Sequence, residues 1–357
     1  MTRRRVLFLS GAPGVGGGER AVMPSLARSD AIELVVAGPE PVAAYARELG
    51  ARAVTLDLPR AHKLTHAPRI ALGARRVRRL YRELGAELLY ANGTRAIPYA
   101  APAALLGSRP LLFHHHGLLT DGPVRALAFA VNRFADAVIA PSAVSAEPFR
   151  AAGSVHVIPY GIDVQRFSPN DDSHPRDMCV VGSLTRPDPS KGMNDFLELA
   201  RHVRQTGRDV RFVLGGGPAF PHEHAPYASI VAAAATLGVQ TPGHIADTPS
   251  FFRGLDVFVH LGGPEGFGLV VVEALACGVP VVAYDWGAIR QAFSQLVTVV
   301  PPHDVVAASA AVDALLDDPA RRAQEARRGR DAVVQRFAVD RMAAEIETVV
   351  LSLLARQ

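Results

Sequence analysis

With 357 residues the chain is long enough for two domains, each with its own core. Apolar residues make up 49% and charged residues 20%, which excludes disordered, fibrous and low-complexity classes. The net charge is +4, and residues 1–163 hold 20 Lys and Arg against 12 Asp and Glu, so the basic excess lies in the first half.

The chain opens on "RVLFLS" (5–10), an expected strand. Its start imitates a signal peptide, but the apolar run Val6 to Leu9 is too short for one. No window holds the 18 or more apolar residues of a spanning helix. The turn "GAPGVGGGERAV", Gly11 to Val22, follows, with glycines at 14, 16, 17 and 18. It matches neither G-x-G-x-x-G nor the phosphate loop with its Lys-Ser/Thr. It reads as a loop that admits another group, whose amides approach a phosphate or sugar.

"ELVVAG" (33–38) is the next strand, then the basic stretch "ARRVRRLYR", Ala74 to Arg82. Two readings stand for it: a solvated helix face, or adhesion to an anionic membrane surface. Nucleic acid is not expected, because the run lacks interleaved aromatics and no binding motif is present. "LLYAN" (88–92), "PLLFHHH" (110–116), "AVIAPS" (137–142) and "VHVIPYG" (155–161) are further apolar strands. Runs without alternation indicate strands buried on both faces, hence a parallel sheet covered by helices. Strand alternation puts His114 and His116 on one face. A metal is not expected there, since no third ligand has convincing spacing; a histidine that contacts substrate fits better.

Val164 to Asp177 is polar and Pro-punctuated and is expected to be a linker. The alternation then restarts with "MCVVGSL" (178–184), "VRFVLGGG" (210–217), "DVFVHLG" (256–262), "PVVAY" (280–284) and "VTVVPP" (297–302). A closing amphipathic helix is expected from about Asp340 to Ala355. Two doubly wound α/β domains in tandem are the economical fold, with ligands outside the carboxyl ends of the strands and in a cleft between the domains. Two distant cysteines, Cys179 and Cys277, in no metal-ligand spacing, are expected to be reduced cytosolic thiols.

In "GSLTRPDPSKG", Gly182 to Gly192, Arg186 and Lys191 sit on a loop before a helix. A guanidinium and an ammonium there make a diphosphate cradle that needs no metal. In "PEGFGLVVVEALACGVPVVA", Pro264 to Ala283, Glu265 lies on a loop at a strand's carboxyl end and Glu273 eight residues on, inside an apolar helix. Carboxylates accept from vicinal sugar hydroxyls, and Gly266, Phe267, Gly268 and Leu269 offer backbone amides.

These residues, in this order, resemble glycosyltransferase family 4, the retaining nucleotide-sugar enzymes of the GT-B fold. The resemblance covers most of the chain and rests on "GGGER", "HHHG", "APS" at 140–142, "VIPYGID" at 157–163, "SKG" and, most specifically, "EGFGLVVVEALACGVPVVA". It implies that Arg186 and Lys191 hold the donor diphosphate, and that Glu265 with the Gly266–Leu269 amides holds the transferred sugar. It further implies that Glu273 binds the ribose hydroxyls and that the main chain near Ile245 frames the base. The resemblance also implies that Gly16 and Gly17 border the diphosphate, and that His116, with His115 as its rival, contacts the sugar near the reacting carbon.

The implied domains are 1–163 with the helix 340–357 on the acceptor side, and 164–339 on the donor side. The implied activity is a cytosolic hexosyltransferase acting with retention on a glycan, lipid or small-molecule hydroxyl, with no metal or other cofactor. A peripheral contact with the inner face of an anionic membrane is left open. The alternatives are a GT-B-fold epimerase or phosphorylase, and a non-catalytic sugar or lipid-head-group binder. The sequence departs from the family pattern at "HLGGPE", where a Pro-Ser pair is usual, at Tyr160, where asparagine is common, and at Arg290, where an acid is usual.

Overall fold

The computed structural model describes residues 3–58, 66–107, 110–119, 124–170, 178–218 and 221–356. Its chain divides into two units, Met1–Gly161 with Val339–Gln357, and Ile162–Ala338.

In the first unit apolar runs become strands and the stretches between them helices. The order is β1 (Arg4–Ser10), α1 (Gly17–Ala27), β2 (Ile32–Gly38), α2 (Glu40–Glu48), β3 (Arg52–Thr55), α3 (Ala67–Glu83), β4 (Leu88–Asn92) and α4 (Ile97–Leu105). Then come β5 (Leu111–His114), α5 (Val124–Phe134), β6 (Ala137–Ala140), α6 (Ala143–Ala146) and β7 (Val155–Val157). Among the described residues the sheet is parallel throughout, with strand order β3-β2-β1-β4-β5-β6-β7.

The second unit contains β8 (Cys179–Leu184), α7 (Met193–Gln205), β9 (Val210–Gly215), α8 (His224–Thr236), β10 (Gln240–Gly243), α9 (Thr248–Arg253) and β11 (Val257–His260). It continues with α10 (Leu269–Ala276), β12 (Val281–Tyr284), β13 (Thr298–Val300), α11 (Val305–Asp317) and α12 (Pro319–Arg336). Its parallel order is β10-β9-β8-β11-β12-β13. Helix α13 (Val339–Leu354) belongs to the first unit and packs on α1.

The doubly wound expectation therefore holds in both halves. Two strands absent from the sequence reading, β3 and β10, are both edge strands. An edge strand needs no continuous apolar run, and the exposure of β3 (RAVT) and β10 (QTPG) reflects that. The expected linker lies outside the described residues from residue 171 onward. Its start is not free chain: the Arg330 guanidinium donates to the carbonyls of Val164 (2.8 Å) and Phe167 (2.6 Å), binding that stretch to the second unit.

Each sheet winds outward in two directions from its middle. In the first, the chain runs from β1 to β2 and β3, then crosses back to β4 and continues to β7. Right-handed crossovers send the helices of the two runs to opposite faces, so the connections diverge between β1 and β4. In the second sheet the same divergence falls between β8 and β11. Among the described residues no helix is long and apolar enough to cross a membrane.

Helix α13 closes the first unit through Met342, fully buried, whose sulfur accepts from the Gly161 amide at 3.0 Å and lies 3.8 Å from Ser25 Oγ. Met342→Ala is expected to destabilise the first unit by about 2–5 kcal/mol, the range for truncating a fully buried side chain. Chemical denaturation followed separately in the two units checks this: the first unit's transition should move and the second's should not.

Candidate active site

In the second unit, the loops after β8 and β11, on either side of the divergence, meet. Gly192 sits at φ 73°, and a Cβ there would lie 2.1 Å from the Leu261 carbonyl oxygen. Only glycine allows this approach. The Gly263 amide donates to the Ser190 carbonyl at 2.5 Å and fastens the two loops. Lys191 Nζ thereby reaches Glu265 Oε1 at 2.7 Å, both side chains being about three-quarters buried.

The Glu265 loop is braced from outside. Trp286 Nε1 donates to the Gly262 carbonyl at 2.8 Å, and the Ala288 amide donates to the Glu265 carbonyl at 3.0 Å. His260, buried at the end of β11, places Nε2 3.8 Å from Glu265 Oε1. Burial lowers its pKa, with Glu265 opposing that shift and Lys191 adding to it.

Arg186 pairs with Glu223, a carboxylate that is 2% exposed. A buried carboxylate needs such a partner, because stripping its water costs several kcal/mol. Gly266, Phe267 and Gly268 are buried, and Gly268 caps α10, so the first-turn amides of that helix lie at its Leu269 end. The Phe267 ring points into the core, edge-on to Phe293 (5.3 Å) and Phe337 (5.8 Å), and anchors the loop. Glu273 lies in the second turn of α10. Ile245, half buried between β10 and α9, lies against Gly215.

In the first unit, Ser10, Asn92 and His114 lie side by side in register at the ends of β1, β4 and β5. Gly16 caps α1, and Gly17 and Gly18 form its first turn. A Cβ on Gly18 would come within 2.8 Å of the His116 ring, so the glycine turn lies directly on that imidazole. The rings of His114 and His116 stack at 4.6 Å, on one side as the alternation requires. Among the described residues no three His, Cys, Asp or Glu side chains gather as a metal-binding set.

His115 turns the other way, 2% exposed, against Phe113 (5.9 Å between rings) and Phe149 (5.1 Å). Burial lowers the His115 pKa to about 4, a backbone hydrogen bond to Gly117 partly opposing it. Burial also lowers His116 to about 3, with His115 adding to the shift. His114 is driven well down by burial and by its two neighbours.

Five residues of these arrangements escaped the sequence reading: Glu19, Asn92, Tyr160 as a partner of His116 (2.5 Å), Glu223 and His260. Glu19 carried a signal, since it stands three residues after the turn glycine Gly16 and caps its amide. His260 carried another, as a lone polar residue in an apolar strand.

Two doubly wound sheets, the second with cations and carboxylates gathered where its winding reverses, are the architecture of the GT-B class of sugar-transferring enzymes. Residues 162–332 match the family model of glycosyl transferases group 1, and residues 16–166 that of Glycosyltransferase Family 4. The chain belongs to glycosyltransferase family 4.

Among its relatives is the lipopolysaccharide core biosynthesis mannosyltransferase LpsB of Rhizobium meliloti, 31% identical over 63% of this chain and 68% of that one. Another is the GDP-mannose-dependent alpha-(1-6)-phosphatidylinositol monomannoside mannosyltransferase of Mycolicibacterium smegmatis, 31% identical over 63% of this chain and 67% of that one. The crystal structure of Anabaena Alr3699/HepE in complex with UDP-glucose superposes with a TM-score of 0.83 at 23% identity, covering 98% of this chain and 99% of that one. The curated relatives are transferases, which disfavours the epimerase, phosphorylase and non-catalytic alternatives.

His115 and His116 set an acid limit. His115 and His116 have folded values of about 4 and about 3, below the ordinary 6.5, so the unfolded chain binds the extra protons. Their contribution is complete above pH 6.5 and is lost as pH falls toward 4 and 3. Melting temperature of the first unit should drop across that window. His115→Phe, which keeps an aromatic ring against Phe149 and removes the proton site, should make the drop shallower.

Proposed function

We propose that the protein transfers a hexosyl group from a nucleoside diphosphate sugar to an acceptor hydroxyl with retention of configuration. The observation that carries this reading is the Lys191–Glu265 pair, set at 2.7 Å beside the amides that begin α10. An ammonium, a carboxylate and helix-end amides at the winding reversal supply partners for a diphosphate and for the hydroxyls of the sugar attached to it. Arg186, beside Glu223, is the second cation assigned to the diphosphate. Glu265 takes the sugar, Glu273 the ribose, and the chain at Ile245 the base. In the first unit, Gly16, Gly17 and His116 are assigned to the same donor.

As the glycosidic bond breaks, negative charge gathers on the leaving diphosphate and positive charge on the sugar. Lys191 and Arg186 stabilise the first, and the Glu265 carboxylate the second. No cofactor enters this scheme, because the two cationic side chains do what a divalent ion does elsewhere. The acceptor class is a glycan, lipid or small-molecule hydroxyl; the two mannosyltransferase relatives act, by name, on a lipopolysaccharide core and a phosphatidylinositol mannoside.

The arginines of α3 fit a peripheral contact with an anionic membrane. Arg75, Arg78, Arg79 and Arg82 line one surface groove with Glu83 as the acid among them, and Leu72 on α3, Leu105 and Leu106 at the end of α4 and Phe129 on α5 are exposed. Basic groups and exposed apolar ones are what a surface of anionic lipid attracts.

Thermal-shift screening against UDP-, GDP-, ADP- and dTDP-sugars identifies the donor, and release of the nucleoside diphosphate measures turnover. Turnover should persist in EDTA and fall about 10²–10³-fold in kcat/KM with Lys191→Ala, the loss of one pre-placed charge. Activity that needs added Mg²⁺ or Mn²⁺, or an active Lys191→Ala variant, overturns the assignment.

The two glutamates should separate kinetically. Glu273→Gln removes binding shared by ground and transition states, so KM should rise more than kcat falls. Glu265→Gln acts beside the sugar that becomes cationic, so kcat should fall more. Normal donor affinity in Glu273→Gln by calorimetry would remove Glu273 from the ribose.

Membrane contact predicts cosedimentation with vesicles containing anionic lipid, released by high salt and weakened when Arg75, Arg78 and Arg79 are made Gln. Equal partitioning to neutral vesicles leaves α3 a solvated face.

A further inference from the structure

The glycine turn carries a residue for which the donor assignment has no use. Glu19, 6% exposed, accepts three hydrogen bonds from three different elements. Its Oε1 accepts from Ser10 Oγ and Asn92 Nδ2, both at 2.9 Å, and its Oε2 accepts from the Gly16 amide at 3.1 Å. A carboxylate offers only acceptors, so Asn92 must turn its amide nitrogen toward Glu19 and its oxygen away. That oxygen meets His116 Nε2 at 2.7 Å. A carbonyl oxygen also only accepts, so the imidazole proton lies on Nε2. Burial keeps the ring neutral, which leaves Nδ1 bare to accept from the Tyr160 hydroxyl at 2.5 Å. The Tyr160 phenol, its pKa raised by burial, keeps the proton it donates.

We propose that Glu19 is a positioning residue that fixes the tautomer and orientation of His116, acting through Asn92, and ties them to the conformation of the Gly16–Gly18 turn. The alternative arrangement is closed off chemically. Rotating the Asn92 amide would set its oxygen against the Glu19 carboxylate, two acceptors with no proton between them in a buried place. It would also set N–H against N–H at Nε2. Sterically, Gly18 lies on the ring face, so the turn that Glu19 caps is also a wall of the imidazole's site. A histidine with both nitrogens engaged is not a proton acceptor in this state. It presents a neutral ring of set orientation, and the proposal rests on the reading in which that ring meets the donor.

The test separates the two ideas. The full chain is labelled with ¹⁵N-histidine, His116 is assigned by its loss in His116→Phe, and long-range ¹H–¹⁵N correlations report which ring nitrogen bears the proton. The parent should show Nε2–H. Glu19→Gln offers a donor where only acceptors stood, freeing Asn92 to rotate, and the Nδ1–H form should appear. Tyr160→Phe removes the partner of Nδ1 but leaves the acceptor at Nε2, and should remain Nε2–H.

Turnover by Glu19→Gln should fall about 10–100-fold, the size of loss known for partners that orient metal-bound imidazoles, and mainly in kcat. If Glu19→Gln does not fold, Asn92→Ala gives the same reading, since losing the acceptor at Nε2 should mix the tautomers. Retention of pure Nε2–H in Glu19→Gln or Asn92→Ala overturns the proposal, as does its loss in Tyr160→Phe. A changed tautomer with unchanged turnover sustains the positioning of the ring and instead removes His116 from the donor.

Discussion

In each sheet two neighbouring strands send their following helices to opposite faces, and the opening this leaves at the strand ends governs everything else. Backbone amides and carbonyls there have no crossover helix above them, so polar side chains must satisfy them or be satisfied by them. Ser10, Asn92 and the glycine turn gather at the β1/β4 opening, and the Lys191 and Glu265 loops at the β8/β11 opening. The same winding yields two different chemistries. One is a relay of hydrogen bonds running from the Glu19 carboxylate to a neutral imidazole, the other a set of paired charges.

The two cations of the second unit's site each rest on a carboxylate. Lys191 rests on Glu265, and Arg186 on a carboxylate almost wholly removed from water. Each cation is thus held in one rotamer region, which limits the side-chain freedom that a bound diphosphate would otherwise have to freeze. The pairing also has an opposing effect, because a ligand anion must replace a carboxylate that already satisfies the cation. In the proposed scheme that exchange would leave Glu265 as an acceptor beside the site, with Nε2 of the buried His260 3.8 Å from the same Oε1 that Lys191 holds.

What could be read from the sequence follows burial. Strands in the middle of either sheet are continuous apolar runs and announce themselves, as do the edge strands β7 and β13, which lie in valine-rich runs, whereas the mixed edge strands β3 (RAVT) and β10 (QTPG) do not. Lys191 and Glu265 stand out individually because each sits on a loop after a strand. Their contact does not, since it depends on Gly192, where a Cβ would lie 2.1 Å from the Leu261 carbonyl oxygen. Glu19 is one of 34 acids, and what sets it apart is an asparagine 73 positions later. Sequence shows which residue types occupy strand ends; strand order decides which of them are neighbours. In "HHHG" the alternation separated His115 from its neighbours, yet only the fold shows that His115 faces Phe149 and His116 the glycine turn.

The place of α13 bears on how the polypeptide reaches this state. Helix α13 packs on α1, and the whole second unit is threaded between them in the chain. During synthesis the first sheet is made first but lacks the cover that Met342 and its neighbours give α1. The second unit is continuous from Ile162 to Ala338 and has all its strands before α13 exists. Domains fold as units while the chain emerges. The order of completion is therefore the reverse of the order of translation: the second unit closes while the first still exposes the α1 surface, and α13, made after both sheets, completes the unit whose sheet was made before the other.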